Sequence, residues 1–328
     1  MGRGRAKLAM LALLSCAPSI RAPDGVRPVW PASPARPRVR WLGEFPTPGV
    51  GAQRSLFVRV LEALIGLPPE LERPALRRPF GVALHRQALY VTDPDAGRVL
   101  RVDWRQGDAT DVICSERPWQ APLAVAVDGR GALYVADPPS VLRVLDSACE
   151  ELGRGLFQRP SGIVASDVEL FVVDPPQHRV LAFGLDGHFR RAIGARGPGP
   201  DQLNYPVALA FSDETLFIVD TVNQRVARFS PTGQPRGSIG APGDAAGGFA
   251  RPKSVAVTAD GGLFVTDGQL DSVVAFDAAG RFIATIGSSG TGPGQLSVPT
   301  GLAYGEGYLF VADSMNRRVQ IFEVLETP

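Results

Sequence analysis

Residues 205–229 read YPVALAFSDETLFIVDTVNQRVARF and contain a proline, three apolar runs, a polar break and a short polar loop. The second apolar run ends in Asp220. The pattern occurs six times, and its closing aspartates are separated by 44, 37, 46, 47 and 46 residues: Asp93, Asp137, Asp174, Asp220, Asp267 and Asp313. A repeat of this length with several short strands per unit is typical of a β-propeller that has one four-stranded sheet per blade. The sequence therefore predicts an all-β, six-bladed β-propeller.

Within the copy at 205–229, the apolar runs predict strands at 206–211, 216–219 and 226–229, followed by an outer strand near 236–239. Proline is tolerated at the first residue of a strand, so each inner strand should begin near a proline. The six prolines in this position are Pro79, Pro122, Pro160, Pro206, Pro252 and Pro299.

The last copy ends after its third strand, so it lacks an outer strand at the C-terminus. Residues 38–43 (RVRWLG) match the outer strands expected at 190–194 and 282–287. We therefore predict that an N-terminal outer strand completes the last blade. This closure joins the two ends of the chain and removes an open sheet edge.

These units resemble NHL repeats, in which P-x-G-[VI]-A is followed by L-[YF]-V-x-D and then x-x-N-x-R-[VI]. Residues 219–226 (VDTVNQRV) and 311–319 (VADSMNRRV) match closely, whereas Ser140 and Ser272 stand where the pattern has arginine. The resemblance covers about residues 79–328 and the predicted strand at 38–43. It implies a six-bladed propeller of the NHL type.

Residues 1–16 (MGRGRAKLAMLALLSC) combine a basic start, a short apolar stretch and Cys16. The apolar stretch is too short to cross a bilayer, so residues 1–15 are predicted to be a secretory signal peptide. Residues 13–16 resemble a bacterial lipobox, which implies cleavage before Cys16 and lipidation of its thiol. Cleavage after Ala22, with Cys16 unmodified, is the alternative.

Residues 17–37 contain six prolines and favour extended polyproline II structure. The sequence therefore predicts a lipid-anchored stalk over 16–37 and a propeller over 38–328. Ala17 resembles the residue that sorts Gram-negative lipoproteins to the outer membrane. The expected location is the cell envelope, with the protein anchored in the outer membrane and facing the periplasm or the cell surface.

The charge balance argues against a nucleic-acid partner. The formal net charge is +1, and three of the 34 basic residues lie in the first seven positions. Without them, 31 basic residues face 33 acidic ones, a balance of −2. A nucleic-acid-binding domain usually carries a strong basic excess.

The closing aspartate is followed five residues later by arginine in four blades. A feature repeated around a ring does not converge on one substrate, so we predict a structural role. The carboxylate would accept hydrogen bonds from loop amides, and the guanidinium would tie the loop to the strand. The four pairs are Asp93/Arg98, Asp174/Arg179, Asp220/Arg225 and Asp313/Arg318.

Gluconolactonases and the peptidylglycine lyase domain resemble this fold, and such enzymes place metal ligands at the central channel. In this chain the residues after the inner prolines include no carboxylate or imidazole. His85 is expected at the far end of an inner strand, His178 in a loop between second and third strands, and His188 in the turn before an outer strand, so the three should not meet. We therefore predict no catalytic residue, cofactor or metal. The residues after the prolines are Phe80-Gly81, Leu123-Ala124, Ser161-Gly162, Val207-Ala208, Lys253-Ser254 and Thr300-Gly301.

Cys114 and Cys149 are both expected near outer strands, in blades one and two. Export permits a disulfide, but their spacing does not decide whether they pair. Either they form a bridge or they are small buried hydrophobic residues.

Residues 44–78 interrupt the repeat, and 53–66 (QRSLFVRVLEALIG) have the periodicity of an amphipathic helix. This helical insertion could plug the ring or dock a partner, and the sequence leaves both interpretations open.

One face of the ring should carry the loops between the second and third strands, the glycine-rich connections and four cations. These residues are Arg196, Arg251, Lys253 and Arg317. We predict a non-catalytic binding or scaffold propeller that presents this face to a protein or glycan partner and contacts the membrane through its lipid anchor. One alternative is a lactonase-like or peptidylglycine-lyase-like enzyme with a small-molecule substrate in the channel. Another is an envelope subunit that docks through 44–78.

Overall fold

The computed structural model describes residues 27–32, 35–45 and 75–325. The predicted signal peptide, Cys16, much of the predicted stalk and the predicted helix at 53–66 lie outside these residues. Within the described ranges, no helix is long and apolar enough to cross a membrane.

Antiparallel sheets form the blades of a propeller, and in blades one to five the strand order follows the chain from the channel outward. Blade one contains β3 (Val82–His85), β4 (Ala88–Asp93), β5 (Arg98–Asp103) and β6 (Asp108–Val112). Blade two contains β7 (Ala124–Val127), β8 (Leu133–Asp137), β9 (Ser140–Leu145) and β10 (Ala148–Leu152). Blade three contains β11 (Gly162–Ala165), β12 (Glu169–Asp174), β13 (Arg179–Gly184) and β14 (Phe189–Ile193).

The remaining blades follow the same plan. Blade four contains β15 (Pro206–Ser212), β16 (Thr215–Asp220), β17 (Arg225–Phe229) and β18 (Pro235–Ile239). Blade five contains β21 (Pro252–Val257), β22 (Leu263–Asp267), β23 (Ser272–Phe276) and β24 (Phe282–Ile286). Between them, β19 (Ala241–Pro242) and β20 (Gly248–Phe249) form a short parallel pair, and single 3-10 turns lie at Pro94–Ala96 and Pro175–Gln177.

The last blade is completed from the N-terminus, as the sequence predicted. It contains β25 (Pro299–Gly305), β26 (Tyr308–Asp313), β27 (Arg318–Val324), β2 (Val39–Phe45) and β1 (Val29–Trp30). Strand β2 pairs antiparallel with β27 from Val39 opposite Val324 to Phe45 opposite Val319. The six-bladed, all-β architecture and its N-terminal closure are therefore confirmed.

Residues 27–32 differ from the extended stalk predicted for them. Val29 and Trp30 pair with β2, and the Trp30 ring lies 5.7 Å from the ring of Phe322. Proline lacks an N–H donor, but the Pro28 carbonyl still accepts a hydrogen bond of 2.9 Å from the Trp41 N–H. This part of the proline-rich segment thus packs on the propeller.

All six inner strands begin near their proline, as predicted, but their exact starts differ. Strands β15, β21 and β25 begin at their proline, whereas β3, β7 and β11 begin two or three residues later. In each of those blades a backbone bond precedes the regular ladder, and blade one has a further bond from Thr92 N–H to Gly81 O. The bonds run from Phe80 N–H to Thr92 O, from Leu123 N–H to Ala136 O, and from Ser161 N–H to Val173 O.

The hydrophobic core is divided among the blade interfaces. Each of six clusters of buried side chains joins two neighbouring blades, and together they cover all six interfaces of the ring. Between the last blade and the first, for example, the Trp104 ring lies 4.8 Å from Tyr308 and 5.2 Å from Phe310. Stability therefore depends on closure, because an open ring would expose one such cluster.

A buried polar network supports that closure. Trp41 of β2 donates a 2.7 Å hydrogen bond from Nε1 to Gln320 Oε1, and Arg318 lies 2.6 Å from Glu44 and 2.8 Å from Asp313. Burial raises the pKa of Glu44, while the neighbouring Arg318 lowers it. The network thus links both chain ends inside one sheet.

Cys114 and Cys149 form a disulfide, with their Cα atoms 5.5 Å apart. The chain that leaves β6 runs beside the turn before β10, where Ser115 N–H donates to Ser147 O at 2.8 Å. This contact settles a pairing that the sequence left open, and it joins blades one and two at the outer rim.

The six repeated aspartates are fully buried at the ends of their strands. Each carboxylate accepts hydrogen bonds from backbone N–H groups one or two residues before the inner proline of its own blade. These contacts tie the segment before each inner proline to the end of the second strand, at Asp93, Asp137, Asp174, Asp220, Asp267 and Asp313.

The arginines that follow the aspartates are less uniform. Arg225 and Arg318 lie 2.8 Å from their aspartates, and Arg98 lies 3.4 Å from Asp93. Arg179 instead donates to Gln177. In blade two, which has Ser140 at this position, Arg117 approaches Asp137 at 3.0 Å from another loop.

Candidate functional site

The inner strands present equivalent residues to the channel at each level. The third residue after each inner proline is aliphatic, and these six side chains border both a cavity of about 460 Å³ and one of about 230 Å³. This aliphatic ring therefore separates two chambers of the channel. Its members are Val82, Val125, Ile163, Leu209, Val255 and Leu302.

The smaller chamber is lined by uncharged residues, and polar atoms form part of its surface. It is lined by the later residues of the inner strands, including Phe211 and Tyr304, and no charged residue of the described part of the chain contributes to it. It therefore offers no ionic contact to a ligand.

The larger chamber, which we call the channel mouth, is cationic. Arg78, Arg159, Arg251 and Lys253 line it, and the one carboxylate among its described lining residues is Asp95. Asp95 Oδ1 lies 3.5 Å from Arg78 Nη1. Four positive charges and one negative charge give a formal balance of +3.

Three of these cations occupy one repeat position. Arg78, Arg159 and Arg251 each precede the inner proline, in blades one, three and five. Blades two, four and six carry uncharged residues at this position: Ala121, Tyr205 and Val298. The arginines thus enter the channel mouth from alternate blades.

The repeated aspartates hold these arginines at the rim. The backbone N–H groups of Arg78 and Arg159 donate to Asp93 and Asp174 at 2.8 and 3.0 Å. Arg251 N–H donates in the same way to Asp267, at 2.8 Å. These bonds use only the backbone, which leaves the guanidinium groups of Arg159 and Arg251 available for a ligand, whereas that of Arg78 is paired with Asp95.

Lys253 follows the inner proline of blade five and lies deeper than the arginines. Burial lowers the pKa of Lys253, the charges of Arg251 and Arg78 lower it further, and Asp267 opposes the shift. Among the described residues, the side chains of Arg159, Arg251 and Lys253 have no ion-pair partner. The channel mouth therefore holds positive charge that the described protein does not neutralise.

Two apolar pairs flank the channel mouth. Val222 N–H donates to Asn204 O, beside Tyr205, and Met315 N–H donates to Ser297 O, beside Val298. Their side chains remain exposed, at 57% for Val222, 61% for Met315, 39% for Tyr205 and 38% for Val298. We call these four residues the apolar pairs.

The structure brings together half of the binding face predicted from the sequence. Arg251 and Lys253 line the channel mouth, whereas Arg196 and Arg317 lie in exposed loops that do not line it. Sequence reasoning missed Arg78 and Arg159. Aligning the residue before each inner proline would have found both.

The three histidines have separate surroundings. His178 Nδ1 accepts a 3.0 Å hydrogen bond from Tyr205 N–H, His188 lies 3.4 Å from Asp186, and His85 ends β3. His85 therefore lies at the end of an inner strand, and His178 and His188 lie in separate loops.

The channel mouth does not fit the metal that some propeller enzymes hold there, because four cations would repel a divalent ion. Among the described residues, one cluster of three potential ligands occurs, formed by Cys114, Glu116 and Cys149 on the outer rim. Its thiols are joined in the disulfide, and Glu116 accepts a 2.7 Å hydrogen bond from Cys149 N–H, which lowers the pKa of that carboxyl.

No protein-family model and no curated protein matches the sequence. The fold is similar to that of an auxiliary nutrient binding protein from Bacteroides thetaiotaomicron (TM-score 0.62, 12% identity, 77% of this chain and 70% of that chain). It is also similar to a gluconolactonase from Xanthomonas campestris (TM-score 0.60, 18% identity, 76% and 86%) and to virginiamycin B lyase from Staphylococcus aureus (TM-score 0.56, 14% identity, 75% and 95%). At these identities the likeness shows the fold: this chain is a six-bladed β-propeller.

Proposed function

We propose that this chain is a non-catalytic binding propeller of the NHL type that recognises a protein or glycan through the face containing the channel mouth. The observation that carries the proposal is the combination of unneutralised cations and exposed apolar pairs on one rigid face. Arginine and aromatic residues are enriched where protein surfaces bind partners. The buried aspartates fix the rim, so a partner would meet a preorganised surface.

The alternative is a propeller hydrolase or lyase with its substrate in the channel. General acid–base chemistry needs a carboxylate, imidazole, amine or phenol that can reach the substrate. The described lining of the channel mouth offers Lys253, whose pKa is lowered by burial, but its one carboxylate, Asp95, is paired with Arg78, and no imidazole lies beside it. Both binding proteins and enzymes occur among the similar folds, so the fold does not decide between the two functions. The residues of the channel mouth favour binding.

Replacing Val222 and Met315, the two loop residues of the apolar pairs, tests the proposal. In Val222→Gln/Met315→Gln, each new residue is the one that blade five carries at the same position, Gln269. Capture of a partner from detergent-solubilised envelope should fall about tenfold or more, because two contacts worth about 1.4 kcal/mol together are lost. Quantitative pull-down of the mature protein measures the change.

The matched control is Leu145→Gln/Val168→Gln. These exposed residues lie at turns on the opposite face, so capture should stay at the wild-type level. Equal loss in both variants would contradict the proposal. Stoichiometric metal in the purified protein, with capture unaffected by either variant, would favour the enzyme alternative.

We also propose that the protein is exported and anchored in the cell envelope through lipid on Cys16, with the outer membrane as its location. The basic and apolar leader and the lipobox-like residues 13–16 support this. Cys16→Ala should abolish incorporation of labelled fatty acid and move the protein from the membrane fraction to the soluble fraction. Labelling that persists in Cys16→Ala would contradict lipidation at this residue.

A further inference from the structure

The channel mouth concentrates charge in a way that the apolar pairs do not explain. Three arginines from alternate blades and Lys253 face one cavity of about 460 Å³, whose floor is the aliphatic ring. Asp95 and Asp267 offset only part of this positive charge. Like charges in excess repel one another, and the repulsion is stronger beside low-dielectric walls. Binding of an anion would remove this unfavourable interaction.

We infer that the channel mouth binds a compact oxyanion with two or three negative charges, of the polycarboxylate or phosphate class. The inference rests on the proposed binding function of this face and specifies the chemistry that the face selects. Guanidinium groups bind carboxylate and phosphate oxygens through paired N–H donors. Arginines that approach from three directions suit a small ligand with several anionic oxygens better than they suit a ligand with a single carboxylate.

The floor of the cavity limits where such a ligand can reside. Below the cations the channel continues as the smaller chamber, which has no described charged residue. An anion would lose hydration there without gaining a charged partner, and that loss is costly. The ligand, whether a free small anion or the acidic end group of a larger partner, should therefore stay at the rim, in contact with Arg159, Arg251 and Lys253.

The repeat itself supplies a conservative test variant. Arg159→Ala/Arg251→Ala places at both sites the residue that blade two carries there, Ala121. The backbone bonds to Asp174 and Asp267 do not use the side chains, so the rim should keep its conformation. Arg78 is left unchanged because it already pairs with Asp95.

A second double variant controls for charge alone. Arg196→Ser/Arg317→Gln also removes two positive charges, from exposed loops outside the cavity. Both substitutions copy residues at equivalent positions in other blades, Ser289 and Gln224. A general electrostatic effect would therefore appear equally in the two variants.

Isothermal titration calorimetry of the mature protein, at fixed ionic strength, would compare citrate, pyrophosphate and acetate. We expect citrate or pyrophosphate to bind to the wild type more tightly than acetate. Arg159→Ala/Arg251→Ala should weaken that binding about tenfold or more, since charge-assisted hydrogen bonds are the strong ones, and the control variant should change it much less. The preferred probe shows whether the site selects carboxylates or phosphates.

Two results would overturn the inference: no binding of either multivalent anion by the wild type, or equal weakening in both double variants. The proposed function has a separate readout, because partner capture depends on Val222 and Met315. If the inference alone is wrong, multivalent anions do not bind while capture still falls in Val222→Gln/Met315→Gln.

Discussion

Replacing Asp313 with alanine should lower the free energy of unfolding by about 3–5 kcal/mol, because it leaves a buried cation without one of its partners. Asp313 is fully buried and accepts hydrogen bonds of 2.7–2.9 Å from Ser297 N–H, Asn316 Nδ2, Arg318 Nε and Gln320 Nε2. Alanine removes all four acceptor contacts at once. The loss would fall on the blade that joins the two chain ends.

Urea unfolding followed by tryptophan fluorescence measures this effect. Asp313→Asn keeps the size and one acceptor oxygen, so it should be destabilised less than Asp313→Ala. Asp108→Ala, at an exposed position at the start of β6, should leave the unfolding midpoint close to that of the wild type. If Asp313→Ala and Asp108→Ala had similar midpoints, the network around Asp313 would not stabilise the fold.

The repeat made most of the fold predictable. Each blade pairs alternating apolar strands with a buried aspartate at the end of the second strand, so the pattern marks the strands in sequence. The match between residues 38–43 and the other outer strands revealed the closure in the same way. These features are local or repeated, and features of both kinds can be predicted from the sequence alone.

Contacts between different parts of the chain were not predictable. The Cys114–Cys149 disulfide depends on how the segment after β6 passes the turn before β10. The strand at Val29–Trp30 depends on the contact of Trp30 with Phe322, which proline content does not reveal. The local sequence pattern therefore did not predict the disulfide or the Val29–Trp30 strand, since both depend on contacts between distant segments.

The candidate site was predictable only in part for a related reason. Arg78, Arg159 and Arg251 all precede an inner proline in the sequence, but their shared importance becomes evident only from the ring geometry. Once the blades are arranged in a circle, the residues before the prolines share one rim. The repeated aspartates also position the candidate binding arginines, because each carboxylate holds the backbone N–H of the arginine in its blade.

Replacing Trp41 with alanine should also cost about 3–5 kcal/mol, the range for truncating a large buried aromatic side chain. Trp41 is 1% exposed and packs in the cluster between blades five and six. It also donates the 2.7 Å hydrogen bond to Gln320. Alanine would therefore both leave a cavity in the cluster and remove a donor from the polar network. Strand β2 would then be held less firmly against β27, and the ring would open at this blade.

Two further tryptophan variants separate closure from general loss of aromatic packing. Trp41→Phe keeps most of the ring volume but not the N–H donor, so it should cost about 1–3 kcal/mol. Trp30→Ala removes a half-buried ring from β1, outside the strand that closes the propeller, and should cost less than Trp41→Ala. Limited proteolysis should cut Trp41→Ala near β2 before it cuts the wild type. If Trp41→Ala were as stable and as resistant as Trp30→Ala, closure by β2 would contribute little to stability, and the core between the other blades would maintain the ring.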